Sequence, residues 1–357
     1  MEFYTSDSSE SDSHTIDYQN RNLSLSKVED EFLNLFKTES DYAEIETIIL
    51  YNNHLSSLPI SLLKFTNLHT LDISNNSLST LNVEIFLTCP LRSFIAKNNL
   101  LTNDSLPKFF ESKSKMGQLR ELNLSGNMLT RIPMQVLELK SIKYLYLNGN
   151  LIQSIHKDIW KLKNLHLLAL GANKIREVPE SIGRLSQLQA LNLCDNKIEK
   201  IPSSIARLHN LKSLSLHKNL IRTLPPELIS LRNLIELSLR ENPLVERFVQ
   251  HLSMTPTSLK EMSARVVKTS NLPYTPFDLP RTLIEYLSSA NCCVNPNCKG
   301  VYFDNRVENV KFIDFCGKYR VPFMQYLCSS RCVENASTPL DPQPSASGFM
   351  MRKVLLG

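Results

Sequence analysis

A pattern of eleven positions, L-x-x-L-x-L-x-x-N-x-L, recurs nine times along this chain of 357 residues, and no other feature restricts its fold so tightly. The matches begin at Ile45, Leu68, Leu91, Leu119, Ile142, Leu165, Leu188, Leu211 and Leu234. Every step is 23 residues except that from Leu91 to Leu119, which is 28; the extra residues fall within 102–118 as a longer excursion on the convex side. Apolar residues at the fourth and sixth positions, Leu145 and Leu147 in one copy, alternate with outward residues and predict a short strand. Asparagine at position nine recurs from Asn53 to Asn242, where a buried amide can bond the backbone of neighbouring turns as a ladder. Most later copies continue with an isoleucine or valine, a proline and helix-like spacing, as in Glu177 to Ile182, for the convex half. No copy can bury its leucines alone, so the copies must stack.

These residues resemble the short cytoplasmic class of leucine-rich repeats. The resemblance implies an α/β solenoid, a horseshoe with parallel strands on its concave face. The spacing of Lys27 to Phe36 predicts an amphipathic capping helix ahead of the first copy. Residues 1–26 read as a disordered tail, 27–44 as the capping helix and 45–257 as the nine-copy solenoid. After them come a helical segment at 258–290, a cysteine-rich module at 291–335 and a disordered tail at 336–357 carrying a short apolar stretch, Phe349 to Met351.

Composition excludes several classes. The net charge of +5 is spread among alternating lysines and acids, unlike the basic stripe of a nucleic-acid binder. The acidic, serine-rich start lacks the charge and apolar core of a signal peptide, and no stretch approaches the roughly 18 apolar residues of a membrane span. A cytoplasmic protein is expected. Phosphate loops, nucleophile elbows and metal-hydrolase helices are all missing, so the chain reads as a non-enzyme. Cys194 and His217 fall on neighbouring strands only because the repeat brings them there, without an orienting third group.

Positions three, five and seven of each strand point to the concave face. They supply Tyr144 and Tyr146, a centre of small residues around Asn192, and a polar end with His217 and Arg240. Aromatic residues and arginine are favoured anchors, so this face is expected to hold a protein target.

Beyond the repeats, Ser258-Leu259-Lys260-Glu261 fits a helix-starting capping box, and Leu259, Ser263 and Val267 are spaced by four. Prolines 273, 276 and 280 precede a second short helix from Arg281 to Leu287. These residues resemble a suppressor-of-cytokine-signalling box, the Elongin-binding module of cullin ubiquitin-ligase receptors. The resemblance implies that Leu259 enters a pocket of Elongin C, of an Elongin B/C pair, and that the Leu279-Pro280 region faces a cullin. Ser263, Val267, Tyr286 and Leu287 belong to the same implied Elongin- and cullin-binding set. Ser263 and Asp278 depart from that family's commonest residues, cysteine and proline. Leu259, Met262 and Ala264 equally fit a degenerate tenth repeat that only caps the solenoid, and both readings stand on the sequence.

Cys293-x4-Cys298 and Cys328-x3-Cys332 are two tight thiol pairs suited to a closed, structural zinc site, with Cys292 or Cys316 able to replace a ligand. Val301 to Phe303 and Val310 to Phe315 read as strands of a zinc-ribbon-like hairpin. A module this small needs metal, worth on the order of 10 kcal/mol, to fold dependably. The whole order of motifs over residues 40–335 resembles the leucine-rich-repeat-containing protein 58 group. It implies a protein-binding adaptor that selects substrates for ubiquitination; a signalling scaffold is the alternative.

Overall fold

A computed structural model of the chain describes residues 14–35, 42–82, 84–106, 115–245, 257–295, 297–314, 320–334 and 353–355. Residues 1–220, 230–242 and 352–357 make one compact unit, and 221–229 with 243–351 make another.

The first unit is built on a sheet of eleven parallel strands. β1 (Thr15–Asp17), β2 (Thr47–Ile49), β3 (Thr70–Asp72), β4 (Ser93–Ile95) and β5 (Glu121–Asn123) lead into β6 (Tyr144–Tyr146) and β7 (Leu167–Ala169). β8 (Ala190–Asn192), β9 (Ser213–Ser215) and β10 (Glu236–Ser238) follow, and a late segment, numbered β15 (Lys353–Leu355), pairs with β10. Like positions pair with like, Leu145 with Leu168 and Leu168 with Leu191, so the register has no offset. Residues one, four and six of all nine copies are buried, which makes one continuous apolar column behind the strands.

The asparagines at position nine fasten each copy to the one before it. From Asn76 to Asn219, each side-chain amide donates to the position-six carbonyl of the preceding copy, at 2.9–3.1 Å. From Asn76 to Asn219, each Oδ1 also accepts the position-eleven N–H of that same copy, at 2.9–3.0 Å. The turn that places this amide needs a left-handed residue just before it. Position eight has positive φ in every copy: Asn52, Asn75, Asn98, Gly126, Gly149, Ala172, Asp195, Lys218 and Glu241. On the convex side Pro59, Pro133, Pro179 and Pro202 cap 3₁₀ helices with φ between −58° and −71°, the angle the proline ring imposes.

Order begins earlier than residue 27. β1 pairs with β2, and Asn53 bonds the Tyr18 carbonyl at 2.8 Å and the Leu23 N–H at 2.9 Å. Residues 14–24 are therefore an atypical repeat half, with Tyr18 and Arg21 where leucine and asparagine would stand. Helix α1 (Leu25–Leu35) buries Val28 and Phe32, and Phe32 packs on Tyr18 and Phe65 with ring centroids 5.8 and 5.2 Å apart. The expected disordered C-terminal tail also needs correcting, since β15 joins the sheet; Phe349 to Met351 lie outside the described residues. Short helix α2 (Ile85–Thr88) follows the second copy on the convex side.

The second unit holds helices α3 (Leu259–Thr269), α4 (Arg281–Ser288) and α5 (Arg331–Glu334). It also holds two antiparallel pairs, β11 (Asn291–Cys292) with β12 (Val301–Tyr302), and β13 (Val307–Asp314) with β14 (Arg320–Leu327). The expected hairpin between 301–303 and 310–315 is thus replaced by two separate ones. Nor is the segment after 257 a tenth repeat. Leu259 and Met262, which would be core in a repeat, are exposed on a helix.

Two stability outcomes follow from the ladder and its turn. Asn150→Ala leaves the Leu129 N–H and the Leu124 and Leu147 carbonyls short of a partner, so stability falls by about 3 kcal/mol, read as a lower urea midpoint. Ala172, at φ 51°, carries a Cβ in the left-handed region; Ala172→Gly raises the midpoint by the equivalent of about 1 kcal/mol.

Candidate functional site

On the strand face, exposed side chains stand beside others that are bonded internally. Tyr144 is exposed at 41% and lies beside His166, with ring centroids 6.3 Å apart. Tyr146 is half-buried, and burial, followed by the Glu121 carboxylate, raises its phenol above the ordinary value. Arg240 is exposed. Asn192 and His217 are partly used internally: the Asn192 side chain accepts the Cys194 N–H at 3.0 Å, and His217 Nδ1 meets Ser238 Oγ at 3.2 Å. Ala169 and Gly171 are buried at the centre, so the face there is formed by small residues between polar flanks.

In the second unit, α3 has two contrasting sides. Ser258 caps the helix by accepting the Glu261 N–H at 3.2 Å, half of the expected capping box. The Glu261 carboxylate does not return to the cap. It is 1% exposed and accepts the Phe303 N–H at 3.2 Å and the Asn305 N–H at 2.9 Å. Arg265 pairs with Glu261 at 2.6 Å and donates to the carbonyls of Cys328, at 2.8 Å, and Asn305. Ala264 packs with Leu287 and Phe303, and Val267 and Leu279 lean on that cluster. The opposite side carries Leu259, Met262 and Val266, exposed at 77%, 50% and 57%, with exposed Ser263 among them. These residues are spaced three and four apart and form one stripe; Val267 belongs to the inner side.

Tyr286 stacks on Phe303 at 4.7 Å and donates to Asp304 at 2.9 Å; burial and then that carboxylate push its phenol up to about 12. Leu287 is buried and Tyr286 partly buried, both packed on the cluster beneath α3. Pro280 is exposed at the start of α4, and Phe277 is fully exposed in the turn before it. There Asp278 accepts from the Thr275 N–H and hydroxyl at 2.7 and 2.8 Å, which lowers its carboxyl pKa.

Cys293, Cys298, Cys328 and Cys332 place their sulfurs all within 4.8 Å of one another. Cys298 and Cys328 are 3.5 Å apart, and Cys328 and Cys332 3.6 Å. Four thiolates about 2.3 Å from a central ion lie roughly 3.8 Å apart, so the cluster can hold a metal with small adjustment. The Gly300 N–H donates to Cys298 Sγ at 3.3 Å, and the buried Asn295 ties the knuckles by donating to the Cys332 carbonyl at 3.1 Å. Such bonds hold ligands in place from outside the coordination sphere. Burial, and next the thiols of Cys298 and Cys332, raises the Cys328 thiol far above its usual value; a divalent cation at the centre would reverse this. Cys292 is exposed on β11 and outside the cluster, and Cys316 lies outside the described residues.

Sequence reasoning located the four cysteines but missed Glu261, Arg265, Asn295 and Gly300. The glycine had a signal in the Cys-Lys-Gly turn; the Glu–Arg pair read only as ordinary helix charge.

The chain matches models described as a leucine-rich repeat region over residues 155–275 and as leucine-rich repeats over 117–175 and 67–89. It is 45% identical over 121 residues to leucine-rich repeat-containing protein 58 of Xenopus laevis, covering 32% of this chain and 35% of that protein. To the Homo sapiens protein of that name it is 58% identical over 87 residues, covering 24% of each. The matched stretch thus spans about a third of these relatives' length or less. The leucine-rich-repeat part of a solved octameric complex of Latrophilin 3, Unc5D and FLRT2 shares the fold. There the TM-score is 0.51 with 20% identity, over 65% of this chain and 76% of that one. The parallel sheet and these matches fit a leucine-rich-repeat solenoid, a non-catalytic protein-interaction fold. Among the described residues no helix is long and apolar enough to cross a membrane.

A Cβ at Gly300 would lie 2.6 Å from Cys328 Sγ and 3.0 Å from Cys298 Sγ. Gly300→Ala therefore spreads the thiols, and in a cobalt(II) titration followed by its thiolate absorption bands the variant binds at least about ten-fold more weakly than wild type.

Proposed function

We propose that this chain is a cytoplasmic adaptor, the substrate-recognition subunit of an Elongin–cullin ubiquitin ligase. The strand face holds a protein target, with Tyr144, Tyr146 and Arg240 as anchors and Asn192 and His217 shaping the floor. The helical segment is the handle by which the ligase is recruited.

One observation carries this reading. A helix fixed along one side by a buried ion pair leaves three large apolar side chains, Leu259, Met262 and Val266, in solvent. An apolar stripe at helical spacing on a rigidly held helix is the form in which a helix enters a hydrophobic groove. The stripe contains Leu259 and Ser263, the positions at which the suppressor-of-cytokine-signalling box meets Elongin C. On the same reading, exposed Pro280 and Phe277 border the cullin-facing region with half-buried Leu279. Val267, Tyr286 and Leu287 support the surface from within. Zinc is the metal that best suits four thiolates in a closed site, and its role is structural. Seven free cysteines among the described residues accord with a reducing compartment.

Leu259 is exposed at 77%, so Leu259→Asp changes the surface without opening a cavity. The expected result is loss of co-purifying Elongin B and C by at least about ten-fold, with an unchanged melting temperature; a single fully desolvated anchor is worth that much. Equal recovery with both proteins would leave the segment as a cap on a scaffold and sink the ligase reading.

A further inference from the structure

The cysteine site and the outward stripe of α3 are joined by one polar clamp. Arg265 sits on the inner side of α3, one turn from Glu261 and on the opposite side from Leu259, Met262 and Val266. Its Nη1 donates to the carbonyl of Cys328, a residue of the second thiol knuckle, at 2.8 Å. Its Nη2 donates to Glu261 and to the Asn305 carbonyl. The first knuckle reaches the same clamp by another route. The Cys293 N–H bonds the Gly300 carbonyl at 2.9 Å, Gly300 leads directly into β12, and the residues just after β12, Phe303 and Asn305, give their N–H groups to Glu261.

Among the described residues the apolar cluster beneath the helix is small, with Ala264, Leu287 and Phe303 buried and partly buried side chains such as Val267 and Tyr286 packed against it. A buried carboxylate is costly unless its hydrogen bonds are complete. Glu261 is completed by the backbone N–H groups of the 303–305 turn and by Arg265, which the Cys328 carbonyl in turn accepts from. We propose that metal in the four-cysteine site sets the pose of α3, with Arg265 as the positioning residue. Docking on the Leu259 stripe is thereby metal-linked. The docking partner in this inference rests on the reading given above; the coupling between metal and helix does not.

The linkage is reciprocal: whatever factor zinc contributes to partner affinity, the partner returns to zinc affinity. The test uses the full chain, zinc-loaded or stripped with a chelator, in two readouts. The first is amide hydrogen exchange. Stripping speeds exchange over residues 262–267 by at least about ten-fold, while the amides of β6 to β8 do not change, and zinc restores the protection. The second is affinity for purified Elongin B–C, which weakens by a similar factor on stripping. Arg265→Met keeps its zinc but exchanges fast over 262–267 with or without the metal. Arg265→Lys retains the charge beside Glu261, so it remains a usable test even if the methionine variant fails to fold, and it also loses most of the metal response.

If wild-type α3 exchanges at the same rate loaded and stripped, or if Arg265→Lys responds to zinc as wild type does, the inference is overturned. If zinc-loaded wild type ignores Elongin B–C while exchange over 262–267 still follows the metal, the docking reading falls and the coupling stands.

Discussion

The first unit depends on the way a buried asparagine amide satisfies backbone that has turned away from the sheet. Leaving a three-residue strand strips N–H and C=O groups of ladder partners in a place that water does not reach. Each asparagine supplies a donor and an acceptor at that point: its amide N–H groups bond carbonyls of its own copy and of the preceding one, and its oxygen accepts from the preceding one. The leucine column provides the burial, but burial is indifferent to register. The amide bonds are directional, so they decide that copy follows copy without slippage. The left-handed residue at position eight belongs to the same device, because it aims the asparagine. Where that residue is Asn or Gly the turn is easily made; at Ala172, Lys218 and Glu241 the ladder holds the backbone against its preference.

This also explains what could be read from the residues. The nine copies were legible because burial and amide bonding demand the same residue types every time. β1 was not, because Tyr18 and Arg21 stand where the repeat has leucine and asparagine. Its core role passes to an aromatic group of Tyr18, Phe32 and Phe65, which has no period. β14 was hidden by Pro322, which usually argues against a strand. Here Pro322 still serves as an acceptor: its carbonyl takes the Leu224 N–H at 3.0 Å within the second unit. At the candidate site the thiols were legible from spacing alone. The partners of Glu261 were not, since residues 303 and 305 lie more than forty positions away and contribute only backbone, which carries no residue signature.

The two units therefore solve the problem of a stable interior differently. The solenoid has a long apolar column and repeats one polar bond. The second unit has small apolar clusters and concentrates its order in polar contacts: the Glu261–Arg265 pair, the Asn295 bridge between knuckles and the four sulfurs. A unit of the second kind is sensitive to its surroundings in a way the solenoid is not, because removing one polar partner leaves another buried and unpaired. Its exposed stripe is consequently held by chemistry that can be altered without touching the stripe itself.

The absence of offset between strands has a consequence for how such a strand face can change over generations. Because every rung is the same bond made to the copy before, gaining or losing one 23-residue period between, for example, Leu165 and Leu188 alters no bond in kind. The face then grows or shrinks by one strand spacing, about 4.8 Å. Reach is in effect a whole-number quantity, set by duplication or deletion of a segment. The character of the grip is set separately, residue by residue, at positions three, five and seven.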